Sequence, residues 1–354
     1  MIELFGWSAA LQDAFAPYAA QGYAPARVIA HHRGLWRLIT AQGEANGRLS
    51  GRFALEAGPG EHPVVGDWLA VSAAEAGEAT IQALMARAGA FTRRAPAGGV
   101  QVVAANVDVA LLVAALNKDL NLRRLERYLV AARDSGAAPM IVLTKADLCA
   151  DAVHDVRAIE AIAAGAPVVP VSALTGAGLA ALDAWLKPGV TAALLGSSGA
   201  GKSTLLNALA RRALMDTGAI RESDDRGRHT TTHRELFRLP SGALLVDTPG
   251  MRELGLLADD AAFAASFEDV VALAAACRFN NCSHANEPGC AVRAALESEA
   301  LSADRWNAYL KLQRELAFVA RKEDVVAEAA HRKRWKQINK AQKALYRRRA
   351  REEE

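Results

Sequence analysis

Gly196-Ser197-Ser198-Gly199-Ala200-Gly201-Lys202-Ser203 follows the apolar run Ala192–Leu195 and precedes Thr204-Leu-Leu-Asn-Ala-Leu, which has helical spacing. The stretch reads as strand, glycine-rich turn and helix, the context in which G-x-x-x-x-G-K-S cradles phosphate. Glycine lets backbone N–H groups turn inward around phosphate oxygens, and the start of the helix adds partial positive charge. Lys202 is expected to reach the β- and γ-phosphates, with the Ser203 hydroxyl on Mg²⁺. A Gly/Ser turn with an incidental lysine would not need both flanks to fit. The contact set for nucleotide here is therefore Gly196, Ser197, Ser198, Gly199, Ala200, Gly201, Lys202, Ser203 and Thr204.

A phosphate loop alone does not choose between ATP and GTP. Upstream, Thr144-Lys145-Ala146-Asp147 follows the apolar run Met140–Leu143, and Ser172-Ala173 follows Val168–Val171. An ionised Asp147 only accepts hydrogen bonds, and guanine offers it the adjacent N1–H and N2–H₂ donors. Adenine would leave the carboxylate unpaired, a penalty that yields selection of order 10⁴. The Lys145 stem is expected along the base, and the Ala173 N–H on guanine O6. Thr144 stands where N-K-x-D motifs carry Asn, keeping a hydroxyl and losing the amide. Downstream, Asp247-Thr248-Pro249-Gly250 ends the run Ala243–Val246 and matches D-x-x-G. Asp247 there faces Mg²⁺ through water, and the Gly250 N–H senses the γ-phosphate. The base-reading motifs thus precede the phosphate loop, the order of a circularly permuted GTPase.

Between the phosphate loop and Asp247 lies the polar stretch Arg221–His233 with Thr230-Thr231-Thr232. One threonine, with Thr231 favoured, is expected to close on Mg²⁺ and the γ-phosphate, as switch loops do in the triphosphate state. Met251 occupies the place of the glutamine that orients attacking water in Ras-like enzymes. A thioether cannot do this, so slow intrinsic hydrolysis and activation by a large partner are expected. His229 is the nearest candidate for the missing function, against the plain reading of a surface histidine.

Cys277-x₄-Cys282-x-His284-x₅-Cys290 gathers three thiolates and one imidazole within fourteen residues. That is the donor set of a closed structural zinc site, with turn residues Asn280, Asn281, Pro288 and Gly289 between ligands. Such binding contributes on the order of 10 kcal/mol to the folding of a small module.

Around these motifs the texture changes twice. Residues 1–95 carry short alternating runs separated by glycines, which suggests a small β-barrel or sandwich without distinguishing an OB-fold. Residues 98–260 alternate strand and helix, implying a mainly parallel α/β sheet. Residues 261–354 read as helical, and Trp335, Ile338, Ala341 and Leu345 form one stripe of a helix with ten Lys/Arg and no acid between Arg332 and Arg351. Net charge is only +3, so that tail carries the basic character. It is expected to meet RNA phosphates, with affinity falling as salt rises; a solvated helix is the alternative. Half the residues are hydrophobic, yet the longest apolar stretch, Val102–Leu116, is interrupted by Asn106 and Asp108. It is too short to span a bilayer. With no basic segment leading into an apolar run at the N-terminus, a cytoplasmic protein is expected.

Taken together, Leu49-Ser-Gly-Arg-Phe53, Val65-Gly-Asp-Trp68, Arg228-His-Thr-Thr-Thr232, the three nucleotide motifs and the Cys277–Cys290 cluster resemble the bacterial small-subunit-dependent GTPases of the RsgA/YjeQ family. The resemblance runs from about Leu4 to about Lys343. It implies an N-terminal OB-fold, a permuted P-loop GTPase domain and a C-terminal zinc domain. It also implies a monomer acting in late maturation of the 30S ribosomal subunit, with partners 16S rRNA and GTP/GDP and with hydrolysis stimulated by the subunit. The basic extension that some members carry at the N-terminus is nearly absent here. A competing reading is a non-catalytic rRNA-binding scaffold tuned by guanine nucleotide; a metabolic ATPase or kinase is disfavoured by Asp147.

Overall fold

A computed structural model describes residues 1–354 except 33, 59, 73–76, 95–99, 118–119, 150–151, 213–234, 248–259 and 319–354. Five strands, β1 (Ala24–His32), β2 (Leu35–Ile39), β3 (Glu44–Leu49), β4 (Trp68–Val71) and β5 (Glu78–Leu84), close into a barrel. Their order is β1-β2-β3-β5-β4 with β4 returning to β1. Only β3 and β5 run parallel. This is the Greek-key closure of an OB-fold. Helix α1 (Ala9–Ala19), capped by Ser8 accepting from Leu11 N, lays Phe15 against Trp68 and Met85 at the barrel. The short α2 (Gly51–Glu56) lies between β3 and β4.

A two-stranded ribbon, β6 (Ala90–Arg94) and β7 (Val100–Ala105), follows. It spans the stretch where the sequence suggests the first domain boundary. Then comes strand–helix alternation: β8 (Val109–Ala115), α3 (Leu122–Asp134), β9 (Ala138–Thr144), α4 (Ala152–Glu160), β10 (Val168–Pro170), β11 (Thr191–Leu195), α5 (Lys202–Ala210), β12 (Glu235–Arg238) and β13 (Leu244–Asp247). The sheet order is β10-β9-β8-β11-β13-β12. All pairs are parallel except the antiparallel β12–β13. The strands are near-continuous apolar runs because helices cover both faces. From β8 the chain winds outward to β10, then returns to β11 and builds in the other direction. The β8/β11 junction is thus a topological switch point, and ligands of such sheets sit at the carboxyl ends of the strands beside it.

The barrel is fastened to this sheet at two places. Edge strand β12 also pairs with β1, at Ala30 opposite Glu235, and Arg37 of β2 meets the Glu235 carboxylate at 3.1 Å. Arg27 of β1 is buried with its guanidinium over the Trp68 ring. It donates to Thr191 Oγ1 at 2.9 Å, to the Phe5 carbonyl at 2.5 Å and to the Gly66 carbonyl at 3.3 Å. Burial lowers its pKa to about 10, opposed by the charges of Asp108 and Asp67, so it stays cationic at neutral pH.

The C-terminal unit is helical: α6 (Asp260–Ser266), α7 (Glu268–Ala275), α8 (Ala291–Glu297) and α9, described over 303–318. Its core of Phe263, Phe267, Val270, Val292 and Leu312 includes Val130 from α3, so the unit is built onto the central domain. No helix among the described residues is long and apolar enough to cross a membrane.

Candidate functional site

The phosphate loop leaves β11 at Gly196. A Cβ there would lie 2.3 Å from the Val113 carbonyl of β8, so only glycine lets the two strands stay adjacent as the loop begins. Gly199 and Gly201 have φ of 75° and 83°, a left-handed pair that turns backbone amides to one side. Helix α5 starts at Lys202, and its first-turn amides have no intrahelical acceptors, the usual arrangement for holding an anion. Lys202 Nζ is folded back on its own loop, donating to the carbonyls of Gly196 at 2.8 Å and Ser197 at 2.6 Å. Ser203 and Thr204 are half-buried in the first turn.

The residues expected from the sequence to read the base stand at the ends of the neighbouring strands. Thr144 is the last residue of β9 and is buried; Lys145 takes the left-handed conformation with φ 59°, and Asp147 lies exposed in the single 3₁₀ turn that follows. The next loop closes on itself: Ser172 N donates to the Ala177 carbonyl, and Thr175 N donates to Ser172 Oγ at 3.2 Å. Ala146 N donates to the Val171 carbonyl at 3.2 Å, locking the loops of Asp147 and Ala173 side by side. The decisive contact joins the two halves of the motif set. Thr144 Oγ1 donates to the Ala200 carbonyl of the phosphate loop at 2.6 Å, although 56 residues separate them. Residues met early and late in the chain therefore share one end of one sheet.

Asp247 closes β13 and is described through its backbone, paired with Glu235. Thr231, His229, Gly250 and Met251 lie outside the described residues, as does the basic stretch 332–351.

The thiol and imidazole cluster comes together in space. The ligand atoms of Cys277, Cys282, His284 and Cys290 all lie within 4.8 Å of one another. His284 Nδ1 is 3.5 Å from the sulfurs of both Cys277 and Cys290, and those sulfurs are 3.9 Å apart. A tetrahedral ion with metal–sulfur bonds of about 2.3 Å and metal–nitrogen bonds of about 2.0 Å requires edges of about 3.8 and about 3.5 Å. The donors of Cys277, His284 and Cys290 match those edges, and with Cys282 within 4.8 Å of each the group could hold one metal ion. Burial raises the Cys277 thiol, but hydrogen bonds from the Val292 and Ala291 amides and from Cys290 and Cys282 together hold it below the ordinary thiol range, whereas burial pushes Cys282 up to about 11. Glu287 folds the intervening loop by accepting from the amides of Ser283, Ala285 and Asn286. Cys149 stands apart, with its sulfur 3.5 Å from the Asp155 carboxylate.

Comparison with known proteins agrees with this geometry. A model of the RsgA GTPase family matches residues 84–257. A curated relative from Opitutus terrae, named small ribosomal subunit biogenesis GTPase RsgA, is 49% identical over 352 residues, covering 96% of each chain. This chain belongs to the RsgA GTPase family. A second RsgA relative, from Syntrophotalea carbinolica, is 42% identical over 347 residues and 95% of each chain. Among solved structures, YjeQ from Thermotoga maritima matches with TM-score 0.63 and 27% identity, over 83% of this chain and 99% of that one. YloQ, described as a circularly permuted GTPase, matches with TM-score 0.61 and 25% identity, over 83% of this chain and 95% of that one. As a member of this family the chain is a GTP-hydrolysing enzyme with permuted motif order.

The helical spacing of Leu122–Arg133 is legible in the sequence, but the connection this helix makes between the site and the Cys/His cluster is not. Helix α3 starts beside the phosphate loop, where Asn121, Arg124 and Tyr128 line a small cavity with Ser197–Ala200. Its other side carries Glu126, which takes the Arg305 guanidinium of α9 at 2.6 Å, with both side chains buried. Arg305 also grips Asp269 through two nitrogens, donates to the Ser266 carbonyl, and lies over the Phe267 ring. Arg133 of α3 donates to Ser266 Oγ at 3.0 Å. Nothing local marks an arginine as the partner of a glutamate 179 residues away.

Proposed function

We propose that this RsgA-family chain is a cytoplasmic, monomeric GTPase of small ribosomal subunit maturation, binding the 30S subunit and its 16S rRNA in the GTP state and leaving after subunit-stimulated hydrolysis. The observation that carries the nucleotide reading is the Thr144–Ala200 hydrogen bond, which sets a guanine-reading loop against a phosphate loop. The ribosomal reading rests on relatives that carry the name small ribosomal subunit biogenesis GTPase along almost their whole length.

In this reading Asp147 takes guanine N1–H and N2–H₂, Ala173 N–H takes O6, and the Lys145 stem lies along the ring. The amides of 196–204 surround the β-phosphate, and Lys202 exchanges its loop carbonyls for β- and γ-phosphate oxygens. Ser203, Thr231 and Asp247 are the residues that would hold a magnesium ion, which when bound with the nucleotide would neutralise charge on the phosphates. Gly250 N–H reads the γ-phosphate, and His229 is the candidate for orienting water in place of Met251. Zinc is the metal we assign to Cys277, Cys282, His284 and Cys290, in a closed structural role. The functional units are the barrel within 1–95, the GTPase domain within 98–260 and the metal-binding helical domain within 261–354, with the β6–β7 ribbon linking the first two.

GTP turnover measured with and without purified 30S subunits tests the proposal. Stimulation by orders of magnitude is expected. Fast turnover by the isolated chain with no response to subunits would sink the partner assignment.

A further inference from the structure

Thr144 has one hydroxyl proton, and its surroundings decide where that proton goes. The residue is 2% exposed. Its Oγ1 lies 2.6 Å from the Ala200 carbonyl and 3.3 Å from the Ala114 carbonyl. Both neighbours only accept, so the proton is committed to the protein and the hydroxyl offers a ligand nothing but lone pairs. Its backbone carbonyl is likewise occupied, by Leu116 N at 2.9 Å. Space is tight as well, since a Cβ on Gly201 would lie 3.1 Å from the same hydroxyl oxygen.

The guanine ring presents its groups in a fixed order: N2–H₂ and N1–H, then O6, then N7, the last two both acceptors. On the nucleotide reading above, on which this inference rests, Asp147 takes the first pair and Ala173 takes O6. With those two contacts made, N7 would face the corner where β9 meets the phosphate loop, the place that Thr144 occupies. An asparagine there would have two N–H donors, enough to serve a loop carbonyl and a ring nitrogen together. A threonine has enough for one.

We propose that Thr144 is a positioning residue whose hydroxyl ties the base-reading loop to the phosphate loop, and that this pocket consequently reads guanine without a side-chain donor to N7. Position 7 of the purine is then unselected, and guanine nucleotides altered at that atom are accepted as ligands.

The test is calorimetric titration of the full chain with GDP and with 7-deaza-GDP, in which a C–H replaces N7. The wild-type protein is expected to bind the two within about twofold. Thr144→Asn supplies the missing donor and should favour GDP over 7-deaza-GDP by about fivefold, the value of one neutral hydrogen bond. Thr144→Ser, which retains the single proton, should keep the parity. A wild-type preference for GDP of about fivefold or more overturns the proposal, and this comparison stands even if the Asn variant fails to fold. Parity in a folded Thr144→Asn protein overturns the placement of residue 144 at the N7 edge. Failure of the wild-type chain to bind GDP at all overturns the nucleotide reading itself, a result distinct from GDP binding with N7 selection.

Discussion

Replacing Arg305 by Ala tests whether the C-terminal helical unit is bolted to the GTPase domain through α3. The side chains of Arg305 and Glu126 are 6% and 4% exposed, so the variant leaves a carboxylate in the interior without its cation. Breaking one side of such a pair costs about 3–5 kcal/mol, because an uncompensated buried charge remains. Asp269 also loses its partner, but it is 47% exposed and water replaces most of that interaction, adding at most about 1 kcal/mol. At roughly 2–4 °C per kcal/mol for a unit of this size, the melting temperature should fall by about 10 °C. Hydrogen exchange should accelerate in α3 and in 303–318 while β11 keeps its protection.

The pH dependence separates a charge effect from loss of packing. Burial already pushes the Glu126 carboxyl above its ordinary value, with Arg305 pulling it down. In Arg305→Ala the pull disappears and the carboxyl rises further. A carboxyl whose folded pKa exceeds its unfolded one is stabilising when protonated, and that contribution is lost as pH rises through the folded pKa. The deficit of the variant should therefore be largest above neutrality and shrink as pH falls towards that of the unfolded glutamate. Replacing both partners, Glu126→Met with Arg305→Met, should restore much of the stability. A deficit under about 1 kcal/mol at neutral pH, or one that grows on acidification, would refute the bolt.

Asp147→Asn exchanges an acceptor-only group for one that can donate, so preference should move from GTP to xanthosine triphosphate; unchanged GTP affinity removes the base assignment. Gly196→Ala places a methyl 2.3 Å from the Val113 carbonyl, so β8 and β11 must shift apart. It should abolish nucleotide binding in a titration and destabilise the chain by about 1–3 kcal/mol through the strand shift. Stripping metal with a chelator should unfold the Cys277–Cys290 module, seen as lost helical ellipticity that zinc restores, with several kcal/mol at stake. Circular dichroism unaffected by chelation, in protein verified to be metal-free, would count against a structural ion.

What the sequence revealed was chemistry confined to short windows. Each nucleotide motif packs its function into two to eight consecutive residues after an apolar run, so strand, loop and partial helix could be read together, and their order alone exposed the permutation. The four residues of the Cys277–Cys290 cluster were equally local. The barrel was only partly legible: β1, β2 and β4 are apolar enough to stand out, whereas β3 is Glu44-Ala-Asn-Gly-Arg-Leu49 and alternates weakly, because its outward positions face solvent. Closure of the five strands is a property of pairing, and pairing between β1 and β4 or β3 and β5 leaves no mark on any single window. The contacts that integrate the molecule share that invisibility. Arg27 reaches Thr191 across 164 positions, and Arg305 reaches Glu126 across 179. In each, a lone arginine in an otherwise ordinary segment becomes buried only because distant backbone carbonyls and carboxylates surround it. Thr144 combines both kinds of information. As a letter it is a departure from N-K-x-D; as a buried hydroxyl committed to Ala200 it is the tie that makes two separated motifs into one pocket. The permuted order is tolerable on physical grounds because what the nucleotide requires is coincidence of loops at the strand ends, and a parallel sheet supplies that coincidence whichever strand the chain visits first.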